Sequence, residues 1–333
     1  MYNTYFGLER NPFNLTADPG FLYLTKDHRE ALAGLVYAIY ARKGFVVLAS
    51  EAGMGKTSLL GAVLQRFQSE RIQSSVILNP TLSPNEFIEL AMMDFGITEV
   101  PASKALRLNL LHQMLLRTQH EGKIAVLFID EAHKLSPEVL EEVRLLGNFE
   151  KSDQKLLQIV LSGQSELTDT LDRADLWQLK QRVALRMTIQ PLSPQDVEQY
   201  VQHRWTKAGG KLPCAFAPES LRLIAELSKG IPRVINVICD NALTLGFADG
   251  TRVITPEHVQ KACADLHLFF RKPAPAPPPV PPVDLPVPLA APVPPPAGPV
   301  LRTLDRYDSA RKSSRWSRWF RKVTINEARA ENV

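Results

Sequence analysis

The sequence predicts an α/β fold in which a parallel five-stranded sheet covered by helices is followed by a small helical domain and a proline-rich tail. Three observations carry this. First, short apolar runs alternate with longer amphipathic stretches as far as about residue 190, the signature of βαβ units. The expected strands are Phe45–Ala49, Ser75–Asn79, Ile124–Ile129, Leu157–Ser162 and Arg186–Ile189. Second, the β signal then fades and helix starts replace it at Ser193-Pro194-Gln195-Asp196, Ala217-Pro218-Glu219 and Thr255-Pro256-Glu257. Each puts Pro at the first helical position with an acid soon after, and two put a hydroxyl at the N-cap, as the unpaired amides of a helix start favour. Third, residues 273–299 hold fourteen of the chain's 26 prolines, a composition that supports neither helix nor sheet ladder. The expected organisation is an α/β domain at 1–190, a helical domain at 191–271, a disordered Pro-rich linker at 272–300 and a basic aromatic tail at 301–333. In polyproline II form the linker would span about 80 Å.

At 333 residues and 45% hydrophobic, the chain can bury a substantial core and exceeds a single small module. Its formal charge of +4 is uneven. The stretch 301–333 carries nine Arg or Lys against four Asp or Glu, which leaves the remainder near neutrality. The basic pI is therefore no sign of a nucleic-acid-binding core. Cys214, Cys239 and Cys263 lie far apart without a C-x-x-C pair, which points to structural thiols in a reducing compartment. No signal peptide and no apolar run of spanning length are visible, so a cytoplasmic protein is expected, at most peripheral at the inner membrane.

The run from Phe45 to Leu60 reads as a buried strand, a glycine-containing loop and an amphipathic helix start. Ser50, Glu51, Ala52, Gly53, Met54, Gly55, Lys56, Thr57 and Ser58 form the loop and its exit, a pattern close to the Walker A phosphate-binding motif. Backbone amides and a helix N-terminus there point at anionic oxygens. Gly53 and Gly55 allow the tight bend, Lys56 reaches the β- and γ-phosphates of ATP, and the Thr57 hydroxyl is a Mg²⁺ ligand. Ser50 stands where the motif calls for glycine.

A second run, Ile124 to Ile129, is uniformly apolar and ends in Asp130 and Glu131. Strand C-termini of open α/β sheets converge on the ligand crevice, so both acids are expected beside the phosphates. As a Walker B pair, Asp130 holds Mg²⁺ through water and Glu131 activates the attacking water. With Ala132 and His133 the run also spells a helicase-like D-E-A-H box, but the remaining helicase blocks are not evident. His133 is expected in a supporting or surface role.

These residues resemble the AAA+ ATPases of the general secretion pathway protein A, or ExeA, type, over roughly residues 5–268. The most distinctive likeness is the opening Phe6-Gly7-Leu8-Glu9-Arg10-Asn11-Pro12-Phe13-Asn14-Leu15-Thr16-Ala17-Asp18-Pro19, followed by His28-Arg29-Glu30-Ala31-Leu32 ahead of the loop. The resemblance implies an AAA+ P-loop NTPase fold with a helical lid. It places Gln164 of Ser162-Gly163-Gln164 at the sensor 1 position and Arg233 of Gly230-Ile231-Pro232-Arg233 at the sensor 2 position. It makes Arg182 or Arg186 the arginine that reaches a neighbouring subunit's nucleotide, hence a homo-oligomer. Asn11, Pro12 and Phe13 would line the adenine pocket by resemblance, whereas as a bare residue Phe13 reads more simply as core packing. Secretion-type members commonly continue through a membrane-spanning helix into a peptidoglycan-binding domain. Neither is read here, and the chain is similar instead to shorter members associated with envelope polysaccharide export and protein sorting.

In the tail, Trp316, Trp319, Phe320 and Val323 follow i, i+3, i+4, i+7 spacing among basic residues. As a helix this suits an anionic membrane surface or an envelope protein partner. The same residues suit nucleic acid, with bases stacked on tryptophan, and a tail without a defined ligand is a third reading. The function expected is Mg²⁺-dependent ATP hydrolysis driving conformational change in an envelope, secretion or polysaccharide-export system. The alternative is an ATP-dependent DNA-binding regulator of the transposition-ATPase or initiator type.

Overall fold

The structure, a computed structural model, describes residues 2–16, 18–66, 71–78, 81–151 and 154–266. The expected linker and basic aromatic tail lie outside the described residues. The strands are β1 (Phe45–Ala49), β2 (Ile72–Ile77), β3 (Ile124–Ile129), β4 (Glu150–Lys151), β5 (Gln154–Lys155), β6 (Leu157–Gly163) and β7 (Val183–Thr188). Five of them form one parallel sheet in the order β2-β3-β6-β1-β7. β4 and β5 make a small antiparallel hairpin that the sequence did not announce.

β1, β3 and β6 are buried along their whole length. Helices cover both faces of the sheet, which is why these strands read as unbroken apolar runs rather than alternating ones. The helices Pro84–Asp94, Lys104–His120 and Pro137–Leu146 build the core on one face. The helices Lys26–Tyr40 and Lys56–Arg66 build it on the other. The largest differences from the expected bounds are at the starts of the two edge strands. β2 starts at Ile72 rather than Ser75, and β7 at Val183 rather than Arg186. An edge strand is half solvated, so polar residues enter it without ending it, and β7 alternates partly buried with exposed positions throughout.

Among the described residues after β7 the regular elements are helical: Pro194–Lys207, Pro218–Ser228, Pro232–Ala248 and Pro256–Asp265. Each begins with Pro in its first turn. The Ser193 hydroxyl accepts from the Asp196 amide at the first start, and Thr255 forms a capping box with His258 at the last. The apolar faces of these helices enclose a second core around Val201, Ile224, Ile238, Leu243 and Val259. The opening segment joins that core. Leu8, Phe13 and Phe21 pack among the helices. The physical reason lies in the apolar side chains of the segment, which the stripes of the helices receive.

Candidate functional site

The C-terminal ends of β1, β3 and β6 open on a cleft of about 390 Å³, closed from the far side by the helical part and the N-terminal segment. This size suits a small-molecule site. The loop from Glu51 to Gly55 follows β1 directly. Gly53 has φ +79° and Gly55 φ +87°, left-handed conformations that a side chain disfavours by about 1–2 kcal/mol. A Cβ at Gly53 would also lie 2.7 Å from Arg233 Cβ. The chain therefore needs glycine at Gly53 for two independent reasons.

Lys56 opens the helix after the loop and is only 6% exposed. Its ammonium donates to the carbonyls of Ser50 at 2.7 Å and Glu51 at 2.9 Å. Burial pushes its pKa down, opposed by the charges of Asp130, Glu131 and Glu166. The lysine is thus a largely desolvated cation held at the mouth of the loop by neutral carbonyls, a position from which it can turn to an anion.

Asp130 ends β3 and is 4% exposed. Its carboxylate accepts from Thr57 Oγ1 at 2.7 Å, from Ser162 Oγ at 2.8 Å and from the Glu131 amide at 3.0 Å. Three strands' ends thus meet on one carboxylate: β1 through the loop and Thr57, β3 through Asp130 itself, and β6 through Ser162. The Thr57 hydrogen is committed to Asp130, which turns the oxygen's lone pairs toward an incoming cation. Sequence reasoning placed Ser162 in its motif but missed this hydrogen bond.

Glu131 faces the cleft from a left-handed backbone, φ 53° and ψ 31°, rare for a residue with a side chain and costing about 1–3 kcal/mol. Its carboxylate pairs with Lys134 Nζ at 3.0 Å and lies 3.8 Å from His133 Nε2. His133 is not a surface residue. Its ring is 12% exposed and Nδ1 accepts from the Gln164 amide at 3.3 Å. Gln164 follows β6 and lines the same cleft.

Arg233 lies across the cleft at the start of the helix Pro232–Ala248. Its backbone N–H donates to the Gly53 carbonyl at 3.2 Å, which ties the helical part to the loop. Its guanidinium is exposed at the cleft wall. Arg182 and Arg186 are not gathered into the cleft. Arg182 donates to the Arg144 carbonyl and to Asn148 Oδ1, and Arg186 pairs with Asp172 at 3.3 Å. Phe13 is also absent from the lining. It is fully buried and meets Phe216 edge-on at 5.9 Å, because an apolar ring gains more in the helical core than at an open rim. Asn14, Leu15 and Thr16, just after it, line the cleft instead.

Two residues that sequence reasoning did not assign to the site are built into it. His28, 3% exposed, touches the loop through Met54. Arg204, 8% exposed, donates to the carbonyls of Pro12 and Asn14 and to Tyr200 Oη, and stacks over Phe21 at 4.8 Å. The signal for Arg204 is visible in hindsight: it sits on the apolar stripe Val197, Tyr200, Val201, Arg204, Trp205. The residues present fit Mg²⁺ with a nucleotide. Thr57 and Asp130 supply hard oxygen atoms, and no group of three or more His, Cys, Asp or Glu suited to holding a metal alone is found among the described residues.

Comparison with known proteins agrees with this geometry. Residues 39–171 match the AAA domain family. General secretion pathway protein A of Aeromonas hydrophila is 40% identical over 267 residues, which are 80% of this chain and 48% of that protein. The chain thus spans about half the length of the curated relative it matches. Among solved structures, the ORC2 protein of Aeropyrum pernix in its ADPNP–ADP complexes superposes with a TM-score of 0.60 at 16% identity, covering 77% of this chain and 72% of that one. The ORC1 protein of the same organism, in complex with DNA, gives 0.58 at 17% identity over 77% and 69%. At such identities the likeness is one of fold.

Proposed function

Since the chain carries an AAA-type P-loop domain of the general secretion pathway protein A type, we propose that it binds ATP with Mg²⁺ in this cleft and hydrolyses it. The observation that carries the reading is the convergence on Asp130 of Thr57 from the loop and Ser162 from β6, beside a buried Lys56. Nothing in ordinary sheet packing calls for a desolvated cation beyond the end of β1 and a desolvated carboxylate beyond the end of β3, two strands that flank β6. An Mg²⁺–triphosphate does.

In this reading the loop amides and the N-terminus of the helix Lys56–Arg66 hold the phosphates, and Lys56 exchanges its loop carbonyls for phosphate oxygens. Thr57 and Asp130 hold the metal, which when bound neutralises developing charge on the transferred phosphoryl group. Glu131 orients the attacking water and accepts its proton, with Gln164 beside it. Arg233 links nucleotide state to the helical part, because its backbone already bonds the Gly53 carbonyl. Arg186 is exposed and held by an exposed carboxylate, a pair worth little in water. It is therefore free to act on the nucleotide of a second copy in a homo-oligomer, while Arg182 braces its own subunit.

The work served is proposed to be in an envelope, secretion or polysaccharide-export system, supported by the 40% identical relative. No described helix is long and apolar enough to cross a membrane. Glu131→Gln tests the hydrolytic reading. The variant is expected to bind ATP as tightly as the parent and to lose about 10²–10⁴-fold in turnover. Unchanged turnover removes Glu131 from its role.

A further inference from the structure

The phosphate-binding loop is not held by its glycines alone. Two of its carbonyls are taken by donors from outside it. The Gly53 carbonyl accepts from the Arg233 amide at 3.2 Å, and the Met54 carbonyl lies 3.2 Å from His28 Nε2. In a trans peptide the C=O and the following N–H point in opposite directions. Whatever holds the Met54 carbonyl therefore decides which way the Gly55 N–H faces. Gly55, with φ +87° and no Cβ, resists a flip of that peptide less than any other residue would.

The imidazole is prepared for this contact. A carbonyl can only accept, so Nε2 must carry the hydrogen, and Nδ1 must then be an acceptor in the neutral ring. Thr25 Oγ1 lies 2.6 Å from Nδ1 and also accepts from the His28 amide at 3.3 Å. The hydroxyl thus donates to the ring while it caps the helix Lys26–Tyr40. One threonine sets both the helix start and the tautomer. His28 is 3% exposed, and burial holds it in the neutral form.

We infer that His28 is a positioning residue for nucleotide binding: through the Met54 carbonyl it turns the Gly55 N–H toward the β-phosphate. The inference rests on the proposed ATP site and adds to it a residue that acts through the loop backbone. Since only a phosphate-facing amide is affected, the contact matters for ligands carrying a β-phosphate and not for the nucleoside.

The experiment compares the wild-type chain, His28→Leu and His28→Gln, each measured for binding of ATP, ADP, inorganic pyrophosphate and adenosine, and for thermal unfolding. Leucine keeps bulk without a donor, whereas the glutamine amide can reach the Met54 carbonyl. His28→Leu is expected to weaken ATP, ADP and pyrophosphate about tenfold, as the loss of an oriented amide and a buried acceptor's partner implies, with adenosine unchanged. His28→Gln is expected to restore most of that affinity whatever its melting temperature. Equal ATP affinity in wild type and His28→Leu overturns the inference, as does a loss that extends equally to adenosine or that glutamine does not repair. If instead the wild-type chain binds neither ATP nor pyrophosphate, the ATP site itself is wrong, a result distinct from failure of the inference.

Discussion

Gly53→Ala probes the junction between the loop and the helical part. Alanine at φ +79° costs about 1–2 kcal/mol in backbone strain. Its Cβ would stand 2.7 Å from Arg233 Cβ and 3.3 Å from Ile231 Cγ2, and relieving such overlap in a packed site costs about 1–3 kcal/mol more. The sum, about 2–5 kcal/mol, falls on a contact that is easily parted, the 3.2 Å bond from the Arg233 amide to the Gly53 carbonyl. The chain is expected to melt on the order of 5–10 °C lower and to lose the stabilisation that saturating nucleotide gives the wild type. Thermal unfolding with and without ADP reads both. A variant that melts with the wild type and is still stabilised by ADP would refute the claim that the loop and the helix start are packed against each other.

Other consequences follow from single contacts. Asp130→Asn keeps the shape but removes the charge that strengthens three bonds: its carbonyl can still accept from Ser162 and the Glu131 amide, while its NH2 faces Thr57 Oγ1, whose hydroxyl must turn from donor to acceptor. A loss of about 1–3 kcal/mol in stability is expected by denaturant titration, together with loss of the Mg²⁺ dependence of nucleotide binding. Arg186→Ala is expected to lower turnover while nucleotide affinity stays within about twofold, whereas Arg182→Ala, which removes bonds to Arg144 and Asn148, lowers the melting temperature instead. Arg204→Met unpins Pro12 and Asn14 and should expose the opening segment to limited proteolysis. For pH, His28 has its pKa lowered by burial, and His203 by burial and then by Lys207 and Arg204. The unfolded chain therefore binds more protons below about pH 6.5, and stability that is present above that value is lost as pH falls. A double His28→Gln, His203→Gln variant should show a flatter melting profile across that range.

The parts of the fold that could be read from the sequence are those whose physics is local. β1 and β3 follow from apolar runs buried on both faces, and the helix starts at Pro194, Pro218 and Pro256 follow from cap chemistry within four residues. The edge strands are harder to bound from sequence because polar residues enter them, Gln73, Ser74 and Ser75 in β2 and Arg186 and Thr188 in β7, where a half-solvated edge requires no apolar run. The loop and the two acids were legible as motifs, and the structure brings Lys56, Thr57, Asp130 and Glu131 to one cleft. What the sequence could not show is pairing across distance. His28 meets Met54 across 26 positions, Ser162 meets Asp130 across 32, and Arg204 meets Asn14 across 190. At Phe13 the two readings divide: the family resemblance implies pocket lining, the bare residue implies core packing, and the ring lies in the helical core.

The central claim is that this cleft binds and hydrolyses ATP, and phosphate release is its most direct measure. The wild-type chain and Lys56→Ala should be assayed with ATP, with and without Mg²⁺, alongside equilibrium binding of ATP. The account predicts binding and Mg²⁺-dependent turnover in the wild type, and loss of both when the buried ammonium is removed. Phosphate release that is the same in Lys56→Ala, or a wild-type chain that binds no nucleotide at all, would contradict it.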